Sequence, residues 1–170
     1  MPWVSKPPSS EVQEQVNIFN LFRGGFLASF AQIEFTVGRM LSRFNQTPPF
    51  VGCVDDVKFR FESRVEAFEV LFKSRSELSE YSDQCEKICE RLRQTYDLRN
   101  YLAHGIARYD VATEVFTVRR ILPTKEDPWN EVALDIPAAA TIPETSKMSL
   151  FCQEFMHFAR DISERFELEF

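Results

Sequence analysis

Hydrophobic residues recur with the period of an α-helix over most of the chain. In the first third, apolar residues follow one another at steps of three and four from Val12 to Phe44, which predicts a long amphipathic helix beginning near Glu11. Pro48 and Pro49 in the stretch NQTPPF prevent this helix from continuing, because proline lacks the amide hydrogen and restricts the residue before it.

Three further helices are predicted from the same period. The second carries apolar residues from Phe61 to Phe72, the third runs from about Ser82 to a stop at Gly105, and the last begins near Thr145. Glycine suits the left-handed conformation that commonly closes a helix, so we expect that conformation at Gly105.

The period changes to two between the third and the last helix. The segments IARYD, EVFTVRRI and EVALDI predict a hairpin with a third strand. The predicted fold class is therefore mainly α, a four-helix bundle with a small β insertion at about 106–136. Residues 1–10 are expected to form a disordered lead, and residues 11–170 a single domain.

Composition narrows the function classes. The chain has 26 Asp and Glu residues against 20 Lys and Arg residues, which argues against a broad, sequence-independent grip on nucleic acid. No apolar run reaches about eighteen residues, so we expect no membrane partner and a cytoplasmic protein. The four cysteines match no zinc spacing and are expected to be structural thiols. Some of the 17 phenylalanines are candidates for contacts with a second subunit.

The stretch DLRNYLAHG, residues 97–105, carries the candidate chemistry. Arg99 lies three residues after Tyr96 and four before Ala103, so it occupies a position on the apolar stripe of the third helix. A guanidinium there must be paired or must face another subunit. Asn100 and His104 are four residues apart and are expected to share a helix face and to be able to hydrogen-bond. The exposed carbonyls of the last turn favour the imidazolium form of His104.

Two interpretations of these residues remain open. Arg99 could bind a core carboxylate such as Glu34, and His104 could cap the last carbonyls of the helix. Alternatively, a histidine beside an arginine is a plausible proton-transfer pair for a phosphodiester.

The segment RNYLAHG at the end of a helix resembles the R-x(4–6)-H signature of the HEPN superfamily, with Arg99 and His104 as the signature residues and Asn100 as the polar residue after the arginine. The first-helix segment FAQIEFTVGRMLS is similar to members of the same group. The resemblance implies a HEPN-like four-helix fold. It also implies a metal-independent endoribonuclease without a cofactor, acting as a homodimer whose motif helices bring two arginines and two histidines into one cleft.

Carried to this chain, the resemblance implies that His104 is the general acid or base and that Arg99 stabilises the transition-state charge. Asn100 would orient His104 or the phosphate. The implied substrate is RNA, single-stranded or tRNA-like, cut to a 2′,3′-cyclic phosphate, in a toxin or phage-defence setting with a possible antitoxin or regulatory partner. The alternative is a catalytically silent HEPN-like module for dimerisation, nucleotide binding or protein interaction.

Basic residues on the predicted strands have two interpretations. Arg119 and Arg120, with Arg108 on the neighbouring strand, could extend a phosphate-binding surface. A charge pair on a strand is more usually a solvated face, and that is the alternative interpretation.

Overall fold

The computed structural model describes residues 9–54 and 60–168. Within these residues the chain is mainly helical, with four α-helices and one small antiparallel sheet placed before the last helix, as the sequence predicts. The elements are α1 (Ser10–Phe44), α2 (Phe61–Ser74), α3 (Ser82–His104), β1 (Ile106–Asp110), β2 (Val115–Ile121), β3 (Glu131–Pro137) and α4 (Thr141–Arg165), with short 3-10 helices at Ser76–Tyr81 and Ala138–Ala140.

The first helix starts within one residue of its predicted position, whereas the predicted start of the last helix is about four residues too late. The first helix begins at Ser10, where the Ser9 hydroxyl accepts a hydrogen bond from the Val12 amide at 3.4 Å, as an N-cap side chain does. Residues 1–8 of the predicted lead lie outside the described residues. The last helix begins at Thr141, because Pro143 falls in the first turn, where its missing amide hydrogen costs nothing.

The chain divides into two compact units. The described part of the first unit comprises residues 9–27 and 98–148 and includes the whole sheet, with strand order β1-β2-β3. Phe116 lies opposite Tyr109 and Ile136 in the strand register. The Phe116 ring stacks on Phe19 with 4.3 Å between the ring centroids. This contact buries one face of the sheet against α1, while the other face carries mostly polar and exposed residues.

The described part of the second unit comprises residues 28–54, 60–97 and 149–168 and is entirely helical apart from its connections. Its core is rich in phenylalanine: Phe44, for example, packs edge-on against Phe50 and Phe72 with centroid distances of 4.9 and 5.9 Å. Phe35 is an exception, with 65% of its surface exposed. Most of the phenylalanines therefore serve as aromatic packing residues in the protein interior.

The four cysteines are free thiols, as predicted. Cys85, Cys89 and Cys152 are buried. The neighbouring Cys89 thiol, 3.9 Å away, together with burial raises the pKa of Cys85 above its ordinary value. These thiols act as small apolar core residues.

Among the described residues, none of the helices combines the length and apolar character needed to cross a membrane.

Candidate functional site

The junction between α3 and β1 fixes His104. Gly105 donates its amide hydrogen to the Tyr101 carbonyl oxygen at 2.8 Å, and β1 begins at the next residue, Ile106. A Cβ atom on Gly105 would lie 2.5 Å from Val118 Cγ1 and 2.6 Å from the Tyr101 oxygen. The predicted left-handed cap at Gly105 is wrong: among the described glycines, positive φ occurs at Gly52. Glycine is required at 105 because the sheet packs directly against the helix end.

The three motif residues lie in the last turns of α3. Arg99 is half-buried, in keeping with its stripe position, and its Nη1 donates to Asn100 Oδ1 at 3.1 Å. His104 is exposed. Within residues 9–54 and 60–168, Asn100 Oδ1 accepts from Arg99 and no hydrogen bond joins Asn100 to His104. Glu34, the carboxylate that the sequence offers to Arg99, forms a salt bridge with Arg64 at 2.6 Å.

His104 opens onto a cleft of about 360 Å³ at the end of the sheet. The cleft is lined by Arg108, Arg119 and Arg120, and its remaining lining comes from Ile106, Ile121 and Glu131. The register places Ile106 opposite Arg119, which brings the start of β1 beside the end of β2. Arg99 and Asn100 are not among the lining residues. The structure therefore joins His104 to the strand arginines rather than to the rest of its own motif.

The cleft has an excess of positive charge. Arg119 Nη1 lies 3.2 Å from Glu131 Oε1, and both side chains are more than half exposed, so this pair is weak. Arg120 lies on the sheet face shared by Phe116 and Val118, and its Cζ atom lies 4.3 Å from the centroid of the Tyr101 ring. Tyr101 is buried and serves as packing that supports the guanidinium. Arg108 and Arg119 share the sheet face that carries Glu131, so two arginines face one carboxylate there and the cleft favours an anion such as a phosphodiester.

Arg23 is a residue of this region that the sequence reasoning missed. Its Nη2 donates to the carbonyl oxygen of Ala103 at 3.4 Å, so it satisfies an orphan carbonyl next to His104. The signal was present: Arg23 follows the buried Phe19 by four residues and interrupts the apolar stripe of α1, as Arg99 does on α3.

In the part of the chain that the structure describes, no group of three or more His, Cys, Asp or Glu side chains is placed to hold a metal ion. Comparisons with protein-family models, with curated proteins and with solved structures found no match. Function is therefore inferred from the residues and geometry of the cleft.

Proposed function

We propose that this protein is a metal-independent endoribonuclease of the HEPN type that acts as a cytoplasmic homodimer. The observation that carries the proposal is the cleft in which His104 lies beside Arg108, Arg119 and Arg120. A histidine that can transfer a proton, placed among guanidinium groups that bind phosphate, is what cleavage of an RNA phosphodiester requires.

The reaction uses the 2′-hydroxyl of the RNA as the nucleophile. One His104 removes the proton from this hydroxyl, whose oxygen then attacks the adjacent phosphorus atom. The bond to the 5′-oxygen breaks, and the His104 of the second subunit donates a proton to that leaving oxygen. The products are a 2′,3′-cyclic phosphate and a 5′-hydroxyl. DNA is not a substrate because it lacks the nucleophile.

The arginines have separate roles in this proposal. Those of the cleft hold the phosphates on either side of the scissile bond, which fixes the attacking geometry. Arg99 does not line the cleft of its own chain, so in this proposal it acts across the dimer and stabilises the negative charge that develops on the phosphoryl oxygens. Its hydrogen bond to Asn100 makes Asn100 a positioning residue for the Arg99 guanidinium, rather than for His104. The biological setting that we propose is a toxin or phage-defence effector restrained by a cognate antitoxin or regulatory protein.

A second candidate function is a catalytically silent HEPN-like interaction module. The observation that favours it is the position of Arg99, which is half-buried and bonded to its neighbour Asn100, an arrangement that also serves to hold the helix end together. The net charge of −6 points the same way, because it weakens general attraction for RNA.

The test is cleavage of end-labelled RNA, single-stranded and tRNA-like, in excess EDTA. We expect His104→Ala to lower the rate by about 10²–10⁴-fold, the usual contribution of a general acid or base. His157→Ala is the matched control, because His157 is the other histidine of the chain and is also exposed. Its rate should equal that of the wild type. A substrate with a single 2′-deoxy residue at the cleavage site should not be cut.

Folding and oligomeric state are measured first, by circular dichroism and light scattering. Equal cleavage by wild type and folded, dimeric His104→Ala protein would overturn the proposed role of His104. Absence of cleavage by the wild type on all of these RNAs would favour the interaction module. A wild type that is monomeric at micromolar concentration would contradict the two-subunit mechanism.

A further inference from the structure

A groove in the second unit lies between α1 and α4. Its volume is about 430 Å³, within the usual range of small-molecule sites. Thr36 and Ala159 are buried and form its floor, while Phe35 is exposed at its rim. The lining is predominantly apolar, and Met156 adds a flexible side chain that can adapt to an occupant.

Arg39 gives this groove an unusual electrostatic character. The side chain is half-buried and lines the groove. Its Nε atom is buried and has no hydrogen-bond partner among the described residues. Within the same residues, no carboxylate forms a salt bridge with Arg39; its guanidinium carbon lies 5.8 Å from the centroid of the Phe35 ring. The guanidinium is partly removed from water and has no carboxylate partner among the described residues, so an anion in the groove would give its Nη groups an acceptor.

A second arginine lies across the groove. Arg160 is exposed on α4, its Nη2 lies 3.3 Å from His157 Nδ1, and it has ion pairs with Asp161 and Glu164 at 3.8 Å each. Both carboxylates lie on the same helix and outside the groove lining. Among the described residues that line the groove, none is acidic, although the whole chain carries a net charge of −6.

We propose that this groove binds an amphipathic carboxylate with a single alkyl chain, of the fatty-acid class. The carboxylate pairs with the guanidinium of Arg39, which offers two parallel N–H groups in the geometry that a carboxylate accepts. The alkyl chain lies against Phe35, Met156 and Ala159, where its burial supplies the remaining affinity. This site lies within the second unit and does not depend on the proposed ribonuclease activity.

The experiment uses the full chain and decanoate, at concentrations where decanoate is monomeric. Titration calorimetry measures affinity, and isotope-labelled methionine methyl groups report the location by nuclear magnetic resonance. We expect the Met156 methyl signal to shift on binding, while that of Met148, a buried residue of the first unit, stays in place. Decanol, which has the same chain without the charge, should bind at least tenfold more weakly than decanoate.

Arg39→Met should weaken decanoate binding at least tenfold and leave decanol binding unchanged. Arg43→Met is the matched control: Arg43 is also half-buried on α1, interacts with Gln46 at 3.5 Å and does not line the groove. It should bind decanoate as the wild type does. Equal affinity of the wild type for decanoate and decanol would overturn the proposal without any variant. So would equal decanoate binding by a folded Arg39→Met protein, or an unmoved Met156 signal.

Discussion

The cleft of the first unit and the groove of the second unit differ in how the charge of their arginines is balanced. In the cleft, Arg119 has the carboxylate of Glu131 as a partner. In the groove, Arg39 has no carboxylate partner among the described residues, and its guanidinium carbon lies 5.8 Å from the centroid of the Phe35 ring. The backbones differ as well: the cleft adjoins a helix-to-strand junction with no room for a methyl group, whereas the groove leaves about 430 Å³ open between two helices.

This difference separates two requirements of binding sites. A residue that transfers a proton must be held in place, and the close packing at Gly105 limits how far His104 can move. A site that accepts an alkyl chain must instead offer apolar volume, and the guanidinium of Arg39 at its edge then decides which head group is accepted. Variants of both units can test whether the two regions differ in this way.

The largest effect is expected at the junction. Gly105→Ala should lower the free energy of unfolding by about 2–3 kcal/mol, because the added methyl group would overlap Val118 and the Tyr101 carbonyl. Urea denaturation measures the loss. In a Val118→Ala background the additional cost of Gly105→Ala should be smaller, since one of the two overlaps is removed.

Gly24→Ala is the control for this variant, because a Cβ atom there has no neighbour within 4 Å. It should raise stability by roughly 0.5–1 kcal/mol, the usual gain from replacing glycine inside a helix. Similar effects of the two substitutions would contradict the tight packing assigned to the junction.

The next effect concerns the charges of the cleft and rests on the proposed ribonuclease function. Arg108→Met should lower kcat/KM for RNA by about ten- to a hundredfold, because an exposed arginine of the cleft lining is lost as a phosphate contact. Glu131→Gln should instead improve RNA binding a few fold, since it frees Arg119 from its carboxylate partner. Steady-state cleavage assays measure both. A loss of RNA binding in Glu131→Gln would show that the Arg119 pair serves folding and not the substrate.

A smaller effect compares one arginine from each unit. Arg23→Met should cost about 1 kcal/mol of unfolding free energy, because the Ala103 carbonyl loses its donor. Arg39→Met should be neutral or stabilising, because it removes a buried nitrogen that has no partner among the described residues. Parallel denaturation curves decide the point. An equal loss of unfolding free energy in both variants would mean that the side chain of Arg39 stabilises the fold as much as that of Arg23 does.

The smallest effect depends on pH. Hydrogen bonds from Arg93 and Lys73 hold the pKa of Glu69 below its ordinary value of 4.5. The ionised Glu69 therefore stabilises the fold above that value, and the contribution disappears as the pH falls through the lowered pKa. Glu69→Gln should cost roughly 0.5 kcal/mol near neutral pH, because both cations are half exposed.

Unfolding curves over a range of pH values provide the check. The wild type and Glu69→Gln should converge in acid. A constant difference between them at every pH would assign the cost of the substitution to packing and not to charge.

The elements of the fold could be predicted because each depends on a local pattern. Steps of three and four residues gave the helices, and the period of two gave the strands. Arg99, which lies on the apolar stripe of the third helix, is half-buried. The exact starts of the helices were harder to predict, because each depends on a single backbone hydrogen bond. Ser9 accepts one at the start of α1, and Pro143 lacks the amide hydrogen for one at the start of α4.

The candidate site was harder to predict because its contacts join distant parts of the chain. The requirement for Gly105 comes from Val118 on a neighbouring strand, and helix-end statistics therefore suggested the wrong reason for it. Spacing allowed Asn100 to meet His104, but the adjacent Arg99 offers a charged donor, which makes the stronger hydrogen bond. The groove beside Arg39 arises from a gap between two helices, and the hydrophobic periodicity of a sequence does not predict such gaps.

The first unit joins residues 9–27 to residues 98–148, with all of residues 28–97 made between them. On a translating ribosome, Phe19 must therefore wait for Phe116 before the two rings can stack. Throughout that interval the nascent α1 exposes an aromatic stripe, which is a binding surface for chaperones and a risk for aggregation. The cleft beside His104 is completed only when Glu131 has been synthesised, so an incomplete nascent chain cannot carry the finished site.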